Sequence, residues 1–288
     1  MENKNIAIID IGSNSVRERI SLGETVFYRN TITTQLAKDC KDGVLCQRSI
    51  DRTFAGLDEL IAVAKRHNSE IYVFATAAVR NAKNSEEFCK RFFMRYGINL
   101  EVVSGEKEAK LGIMGALNGA DGCLIDVGGA SSELVISKNN QIIYAHSAKM
   151  GAVTLTDLCA KDILKATMQI KSQLKLLPPI NETYSTVYAI GGTANVIAFI
   201  ASKEKIYNRD KTNGHTISIE ELECFVKDFY ARTPENIAKT FNITQLRANV
   251  IHSGAQILCL LAKSICAQNI ILKEDDNLEG YYLEKIKR

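Results

Sequence analysis

The chain has 288 residues, 46% of them hydrophobic, which is enough to bury the core of one large domain or of two ordinary ones. Its formal net charge of +3 at pH 7 is too small to indicate a protein that binds nucleic acid over its whole surface, although a local basic lining for a polyanion remains open. We therefore do not expect nucleic acid as a partner. The sequence contains no apolar run long enough to cross a bilayer, so we do not expect a membrane as a partner either.

The eight cysteines are scattered through the sequence, and no two form a Cys-x-x-Cys pair. Cys40 and Cys46 are close to each other, but no second pair of metal ligands lies nearby, so a metal site is not favoured. Since no signal peptide is recognisable, the cysteines indicate reduced thiols and a cytoplasmic location.

The first predicted strand ends in an acidic residue and leads into a polar loop. Apolar residues 6–9 precede Asp10, and Gly12-Ser13-Asn14-Ser15 follow after Ile11. An aspartate at a strand end, followed by a glycine-containing turn, can bring backbone N–H groups close to an anion. A single copy of this pattern is more often an ordinary hairpin turn.

The next stretch predicts a β-α-β unit. Two strands, Val16–Leu22 and Thr25–Thr33, are followed by a helix that Ser49 caps and by a strand, Glu70–Ala75. Arg80 stands beyond the carboxyl end of that strand, where open α/β sheets bind ligands. A phosphate contact and an ordinary surface arginine are equally compatible with this position.

A capping-box pattern of Asn84 and Glu87 predicts the start of the next helix, and a strand over residues 100–103 comes after it. Ser104 is then the expected N-cap of a helix whose first turn contains Glu108. The helix dipole is the commonest reason for an acidic residue there, but its place after a strand leaves room for a second role.

The pattern of acid and glycine recurs one domain length later. An apolar run ends in Asp126, a turn contains Gly128, Gly129 and Ser131, and Glu133 precedes the next apolar run. The glycines let an anion approach closely, and the two carboxylates are hard oxygen ligands that suit Mg²⁺ beside phosphate. Two copies are less readily explained as unrelated turns. They favour duplicated halves that face each other across a cleft.

A third glycine loop follows a long predicted helix. This helix runs from about Asp157 to Leu177, and a short strand, Thr186–Ile190, then leads into Gly191-Gly192-Thr193. A strand, a glycine pair and a helix present backbone N–H groups and a helix N-terminus to an anion. The signal is weak alone, but together with the other two loops it predicts a third phosphate contact.

The duplication also predicts the domain organisation, because no linker is visible in the composition. We place the boundary so that residues 1–118 form an N-terminal domain and residues 119–288 a C-terminal one. The last predicted helix, Asn277–Ile286, belongs to the second domain by sequence, and packing of that helix back on the first domain is left open.

Five motifs in this order resemble the exopolyphosphatase/guanosine pentaphosphate phosphohydrolase (Ppx/GppA) family, from about residue 6 to residue 280. They are Asp10–Ser15, Ala75–Arg80, Ser104–Ala109, Asp126–Glu133 and Gly191–Thr193. The first and fourth alone would also suit the wider actin, sugar kinase and heat-shock ATPase superfamily. The resemblance implies an α/β fold of two ribonuclease H-like domains with an interdomain active-site cleft, in the short form of the family.

Carried over residue by residue, the resemblance implies roles for individual side chains. It places the catalytic base on Glu108 and the binding of Mg²⁺ on Asp126 and Glu133, with Asp10 as a further ligand. Whether a monovalent cation accompanies Mg²⁺ is left open. The residues expected to contact phosphate are Gly12, Ser13, Asn14, Ser15, Arg80, Gly128, Gly129, Ser131, Gly191, Gly192 and Thr193.

Several positions depart from the pattern of the family. Ala130 stands for a third glycine, Lys107 replaces a common acidic residue, and Glu18-Arg19 stand where members usually have apolar residues. Glu18 also shares the apolar face of its predicted strand with Val16 and Ile20, where a charge is unexpected.

We therefore expect a phosphohydrolase that releases terminal phosphate from inorganic polyphosphate, guanosine pentaphosphate or both, by in-line attack of water with Mg²⁺ assistance. The departures motivate an alternative, a sensor that binds polyphosphate or nucleotide without turnover. A sugar kinase is disfavoured because no sugar-site signature is present. The choice of substrate, the preferred chain length and a homodimeric state stay open. If the substrate is a long polyanion, the candidates for a basic lining are Arg17, Lys107, Lys110 and Arg247.

Overall fold

The computed structural model describes residues 4–38, 40–139 and 141–286. Two compact units divide this chain. The first comprises the residues up to Leu111 together with those from Asn277 onward, and the second comprises Gly112–Asp276. The division falls inside the helix Gly105–Leu117, just before the predicted boundary, and the C-terminal helix belongs to the first unit.

The first unit is built on a five-stranded mixed sheet with helices on both faces. Its strands are β1 (Asn5–Ile11), β2 (Ser15–Leu22), β3 (Thr25–Thr33), β4 (Glu70–Ala75) and β5 (Leu100–Val102). Its first helices are α1 (Gln47–Arg66), α2 (Ala77–Arg80), α3 (Ser85–Tyr96) and α4 (Gly105–Leu117). Ile9 and Val73 pack against α1 on one face, while Ile8 and Phe74 on the other face pack against Tyr281 of the C-terminal helix.

The second unit is built on a six-stranded mixed sheet. Its strands are β6 (Gly122–Val127), β7 (Ser132–Lys138), β8 (Gln141–Ala148), β9 (Thr186–Ile190), β10 (His215–Ser218) and β11 (Asn269–Leu272). Its helices are α5 (Ala152–Cys159), α6 (Ile163–Leu174), α7 (Gly191–Ser202), α8 (Arg209–Thr212), α9 (Ile219–Ala231), α10 (Pro234–Phe241), α11 (Gln245–Ala248) and α12 (Ile251–Ser264). The C-terminal helix of the first unit, α13, spans Asn277–Ile286.

The two sheets share one topology, as the repeated sequence pattern predicts. The strand order is β3-β2-β1-β4-β5 in the first unit and, read in the same direction, β8-β7-β6-β9-β11-β10 in the second. In each, a three-stranded antiparallel meander is extended by two parallel strands, and the second sheet ends in β10, which pairs antiparallel with β11. The register also shifts at equivalent places, between Ile20 and Ser21 and between Ile136 and Ser137. The predicted α/β class with two sheet-based domains is confirmed.

Two predicted helix caps are wrong because other partners bind the side chains concerned. Helix α1 begins at Gln47, before Ser49, whose Oγ donates to the carbonyl oxygen of Lys38 at 3.0 Å. Asn84 precedes α3, but its side chain does not cap the helix; its Oδ1 accepts from the Leu45 amide at 2.9 Å. Tertiary contacts therefore override the local capping patterns at both positions.

The prediction of one long helix from Asp157 to Leu177 is also wrong, because the helix ends at Cys159 and a second one begins at Ile163. Ala160 has a φ of 47°, and α6 restarts at Ile163 with the Asp162 carboxylate accepting from the amides of residues 164 and 165. Lys161 donates to the carbonyl oxygens at the end of α9, including that of Arg232 at 2.8 Å. The break thus turns a lysine toward carbonyl groups that α9 leaves without helical partners.

Within the described part of the chain, no helix is long and apolar enough to cross a membrane. None of the cysteines in that part forms a disulfide.

Candidate active site

The first two predicted phosphate loops close in the same way. The amide of Gly12 donates to the carbonyl oxygen of Ser15 at 3.0 Å, and the amide of Gly128 donates to that of Ser131 at 3.0 Å. A Cβ at Gly12 or Gly128 would stand 3.2 or 3.0 Å from that carbonyl oxygen, closer than most side chains tolerate. The glycines therefore close the turns, in addition to any contact with phosphate.

A following segment holds each loop by its carbonyl groups. The Asn14 oxygen accepts from the amides of residues 34 and 35, at 3.0 and 2.8 Å. The oxygens of Gly128 and Gly129 each accept at 2.9 Å from the amides of residues 152 and 153, at the start of α5. This support depends on Gly151, where a Cβ would overlap the backbone of Gly129 and Ala130. No pattern in the sequence marks Gly151, because only the approach of a distant segment explains the need for a glycine there.

The aspartate of the first loop is paired with an arginine. Asp10, only 2% exposed, lies opposite Arg17 in the register of β1 and β2. Its Oδ2 accepts from Arg17 Nε at 3.0 Å and also from Arg17 Nη2. The cation that neutralises this buried carboxylate is thus supplied by the chain itself.

The second loop has the opposite charge at the equivalent place. Asp126 lies opposite Glu133 in the register of β6 and β7, so that two carboxylates stand side by side where the first unit has a carboxylate and a guanidinium. Glu133 Oε1 accepts from Ser147 Oγ at 2.7 Å. Asp126 Oδ1 lies against Gly191, where a Cβ would overlap it. Directly opposed like charges destabilise a strand pair, and a bound cation would relieve that repulsion.

These donors fit a magnesium ion better than a closed metal cage. Among the described residues, no group of three or more His, Cys, Asp or Glu side chains could hold a metal ion by itself. Mg²⁺ is usually bound by one or two carboxylates together with waters and substrate phosphates. The pair of Asp126 and Glu133 matches that donor set, whereas Asp10 already accepts two N–H groups of Arg17.

The third loop opens helix α7 directly after β9. Gly191 has a φ of +91°, which a residue with a side chain rarely adopts. At Gly192 the close neighbour is a side chain: a Cβ there would overlap the guanidinium of Arg247 in α11, which would have to move. Thr193 packs on Gly254 of α12 in the same close manner. A cation therefore lies on the backbone of the predicted anion loop, as a basic lining requires.

The predicted base and one predicted phosphate contact bind each other. Arg80 Nη1 donates to Glu108 Oε2 at 2.7 Å and to the carbonyl oxygen of Val103 at 2.9 Å. Ser104 Oγ accepts from the Lys107 amide at 3.1 Å, which confirms the predicted N-cap of α4. Glu108 is thereby held in the first helical turn, directly after β5.

The structure gathers these residues at one edge of each sheet. In the first unit β1, β4 and β5 are parallel, so their carboxyl ends share the edge that leads to the 12–15 loop, to Arg80 and to Glu108. In the second unit β6 and β9 are parallel, and their carboxyl ends lead to the 128–131 and 191–193 loops. Ligands of α/β sheets bind at such edges.

The chain belongs to the Ppx/GppA phosphatase family, whose model matches residues 17–288. Among curated proteins it is 25% identical to a bifunctional 3-dehydroquinate synthase/phosphatase of Fusobacterium nucleatum, over 98% of this chain and 46% of that protein. It is 24% identical to exopolyphosphatase 2 of Mycobacterium tuberculosis, over 96% of this chain and 97% of that one.

The chain thus spans less than half the length of the Fusobacterium relative and nearly all of the mycobacterial one. The solved structure of the Aquifex aeolicus member of the Ppx/GppA family superposes with a TM-score of 0.84, at 24% identity, covering 99% of this chain and 98% of that one. That likeness establishes the fold.

Proposed function

We propose that the protein is a phosphohydrolase that releases the terminal phosphate of a phosphoanhydride chain, either inorganic polyphosphate or guanosine pentaphosphate. The observation that carries this proposal is the Glu108 carboxylate, held by Arg80 at the sheet edge that also presents the 12–15 loop. Membership of the Ppx/GppA phosphatase family and the likeness to a mycobacterial exopolyphosphatase support it.

In this proposal Glu108 orients the attacking water and accepts its proton. The water oxygen forms a bond to the terminal phosphorus as the bond from that phosphorus to the bridging oxygen breaks, and the shortened chain leaves with the bridging oxygen. Phosphoryl transfer depends mostly on positioning and on charge stabilisation. Arg80 fixes the direction of the carboxylate through Nη1, which is the positioning that the step needs.

Asp126 and Glu133 would hold Mg²⁺, which when bound neutralises charge on phosphate oxygens. Asp10 would have a different role from the one that the resemblance implies: its carboxylate accepts from Arg17 and would orient that guanidinium beside the first loop. Arg247 places a second guanidinium on Gly192 at the N-terminus of α7. Cations beside the first and third glycine loops suit a polyanionic substrate.

The departures from the pattern of the family do not remove this machinery. Lys107 binds two carboxylates of its own unit, Glu101 and Glu284. Ala130 is exposed and its φ is not in the left-handed region, so its methyl group is accommodated. The sensor alternative therefore gains no support from these two positions.

The test is phosphate release by purified protein with Mg²⁺, on long-chain polyphosphate and on guanosine pentaphosphate, beside the Glu108→Gln variant. We expect release by the wild type and a loss of roughly 10²- to 10⁴-fold in Glu108→Gln, the usual share of a catalytic base. Tight binding of either substrate without release by the wild type would instead support the sensor.

Salt distinguishes the two substrates. A long polyphosphate that contacts Arg17 and Arg247 should show a KM that rises with ionic strength, since exposed charges are screened. The shorter guanosine pentaphosphate has fewer charges and should show a weaker dependence. A KM for polyphosphate that does not respond to salt would remove the basic lining from the proposal.

A further inference from the structure

Lys107, the residue before the proposed base, is bound between two carboxylates that come from different elements. Its Nζ lies 2.5 Å from Glu101 Oε1 in β5 and 3.0 Å from Glu284 Oε2 in α13. Burial alone would lower the pKa of the Lys107 ammonium, but the two carboxylates raise it above its ordinary value. The lysine therefore joins the first turn of α4 to the C-terminal helix by a charged contact.

The carboxylate of Glu101 is itself held by α13. Tyr281 donates its hydroxyl to Glu101 Oε2 at 2.7 Å, and Lys285 Nζ lies 3.5 Å from the same oxygen. The ring of Tyr281 is buried and stacks on Phe74 of β4 with 4.5 Å between the ring centroids. Both acceptors of Lys107 are thus fixed by one helix, which is anchored on the sheet.

Helix α13 also approaches α4 closely at Gly280. A Cβ at Gly280 would overlap the carbonyl group of Leu111, so the glycine permits a contact that no other residue allows. Leu111 and Lys107 are one turn apart and share a face of α4. Glu108 is the next residue along that turn, and Arg80 holds it from the direction of Val103.

We propose that α13, acting through Lys107 and Gly280, positions the turn that carries Glu108, and that Lys107 is a positioning residue for hydrolysis. This inference rests on the proposed function for its catalytic part. Small displacements of a base relative to the attacked phosphorus are costly, because the reacting atoms must be aligned before the barrier is crossed. The clamp on α4 limits such displacement without contacting the substrate.

The test compares Lys107→Met with Lys107→Arg and Glu284→Gln. We expect Lys107→Met to lower kcat by between about 10- and 100-fold with KM little changed, since the turn is displaced while substrate contacts remain. Lys107→Arg keeps both charge contacts and should recover most of the rate, and Glu284→Gln should fall between them. Lys138→Met is the matched control, because Lys138 forms an exposed pair with Glu182 at 2.7 Å in the second unit.

Amide hydrogen exchange provides a readout that does not require activity. The amides of residues 107–111 should exchange faster in Lys107→Met than in the wild type or in Lys138→Met. If kcat of Lys107→Met equals that of the wild type, or if only KM changes, the positioning role is wrong. If the wild type releases no phosphate, the proposed function fails. The clamp is tested separately: equal amide exchange of residues 107–111 in Lys107→Met and in the wild type would overturn it. Should Lys107→Met fail to fold, Glu284→Gln decides by the same measurements.

Discussion

Arg80 Nη1 lies 2.7 Å from Glu108 Oε2 and 2.9 Å from the carbonyl oxygen of Val103. The motif that predicts a phosphate contact and the motif that predicts the base therefore meet in one ion pair. About a quarter of each side chain is exposed, so the pair is partly shielded from water. This arrangement gives Arg80 a role that its motif alone does not indicate, which is to fix the direction of the Glu108 carboxylate.

We predict that Arg80→Met and Glu108→Gln will not have additive effects on kcat. If Arg80 acts largely through Glu108, the double variant should be little worse than Glu108→Gln alone, which should lose roughly 10²- to 10⁴-fold. The measurement is a double-mutant cycle on steady-state phosphate release. Additive losses, with KM raised in Arg80→Met, would mean that Arg80 acts on the phosphate independently of the base.

The repeated hairpins have opposite charges at one position of the register. Arg17 stands opposite Asp10 in the first unit, and Glu133 stands opposite Asp126 in the second. The same backbone design thus places a guanidinium opposite the aspartate in one copy and a second carboxylate opposite it in the other. Duplication followed by this exchange would specialise one loop for an anion and the other for a cation.

We predict that Mg²⁺ will raise the melting temperature of the wild type and that Glu133→Gln or Asp126→Asn will abolish this increase. Without Mg²⁺, Glu133→Gln should be as stable as the wild type or more so, by up to about 1 kcal/mol, because two opposed like charges are relieved. Melting is followed with a chelator and with increasing Mg²⁺, and the chelator should also stop phosphate release. Asp10→Asn is the comparison, and we expect Mg²⁺ still to raise the melting temperature of this variant. If Mg²⁺ no longer did so, Asp10 would be a ligand of the metal.

Much of the fold and the positions of the loops could be predicted from the sequence. The strand Thr25–Thr33 and the helix Asn277–Ile286 have the predicted bounds, because alternating and helical apolar patterns are local properties. The loops were located by an acid and glycines at the ends of apolar runs. These features depend on a few neighbouring residues.

The features that could not be predicted depend on partners far away in the sequence. Ser49 and Asn84 fit capping patterns, yet the structure gives them acceptors and donors that no local pattern indicates. An added Cβ would overlap the backbone of a distant segment at Gly151 and the guanidinium of Arg247 at Gly192. Arg17 and Glu133 occupy equivalent positions with opposite charges, and this becomes visible only when both hairpins are aligned by their register.

We predict that Gly192→Ala will weaken substrate binding through Arg247. The added methyl group would overlap the guanidinium, which must then shift away from Gly192. KM should rise on the order of 10-fold, the loss expected for one charge-assisted contact. Arg247→Ala should have a similar effect, and the double variant should be no worse than either single one. A double variant with the sum of both losses would show that the methyl group disturbs the loop itself.

The two units also differ at Glu18, whose carboxyl group is buried. Glu18 is fully buried in β2, and neither of its oxygens has a hydrogen-bond partner among the residues that the structure describes. It lies between Val16, which contacts Gly56 of α1, and Ile20, which packs on Val63 of the same helix. The equivalent residue of the second unit is Leu134, buried in an apolar core. Burial raises the pKa of Glu18 to about 8.

We predict that Glu18→Leu will stabilise the protein by an amount that grows with pH. The folded pKa of about 8 lies above the ordinary 4.5, so between these values the unfolded chain releases a proton that the folded chain keeps. The free energy of unfolding of the wild type should therefore fall as pH rises, by up to about 1.4 kcal/mol per pH unit from this residue. Denaturant unfolding from pH 5 to 8 measures the difference. Glu18→Gln keeps the shape without the charge and should share the flatter pH dependence. Parallel curves for all three proteins would show that Glu18 is already ionised in the folded state at these pH values.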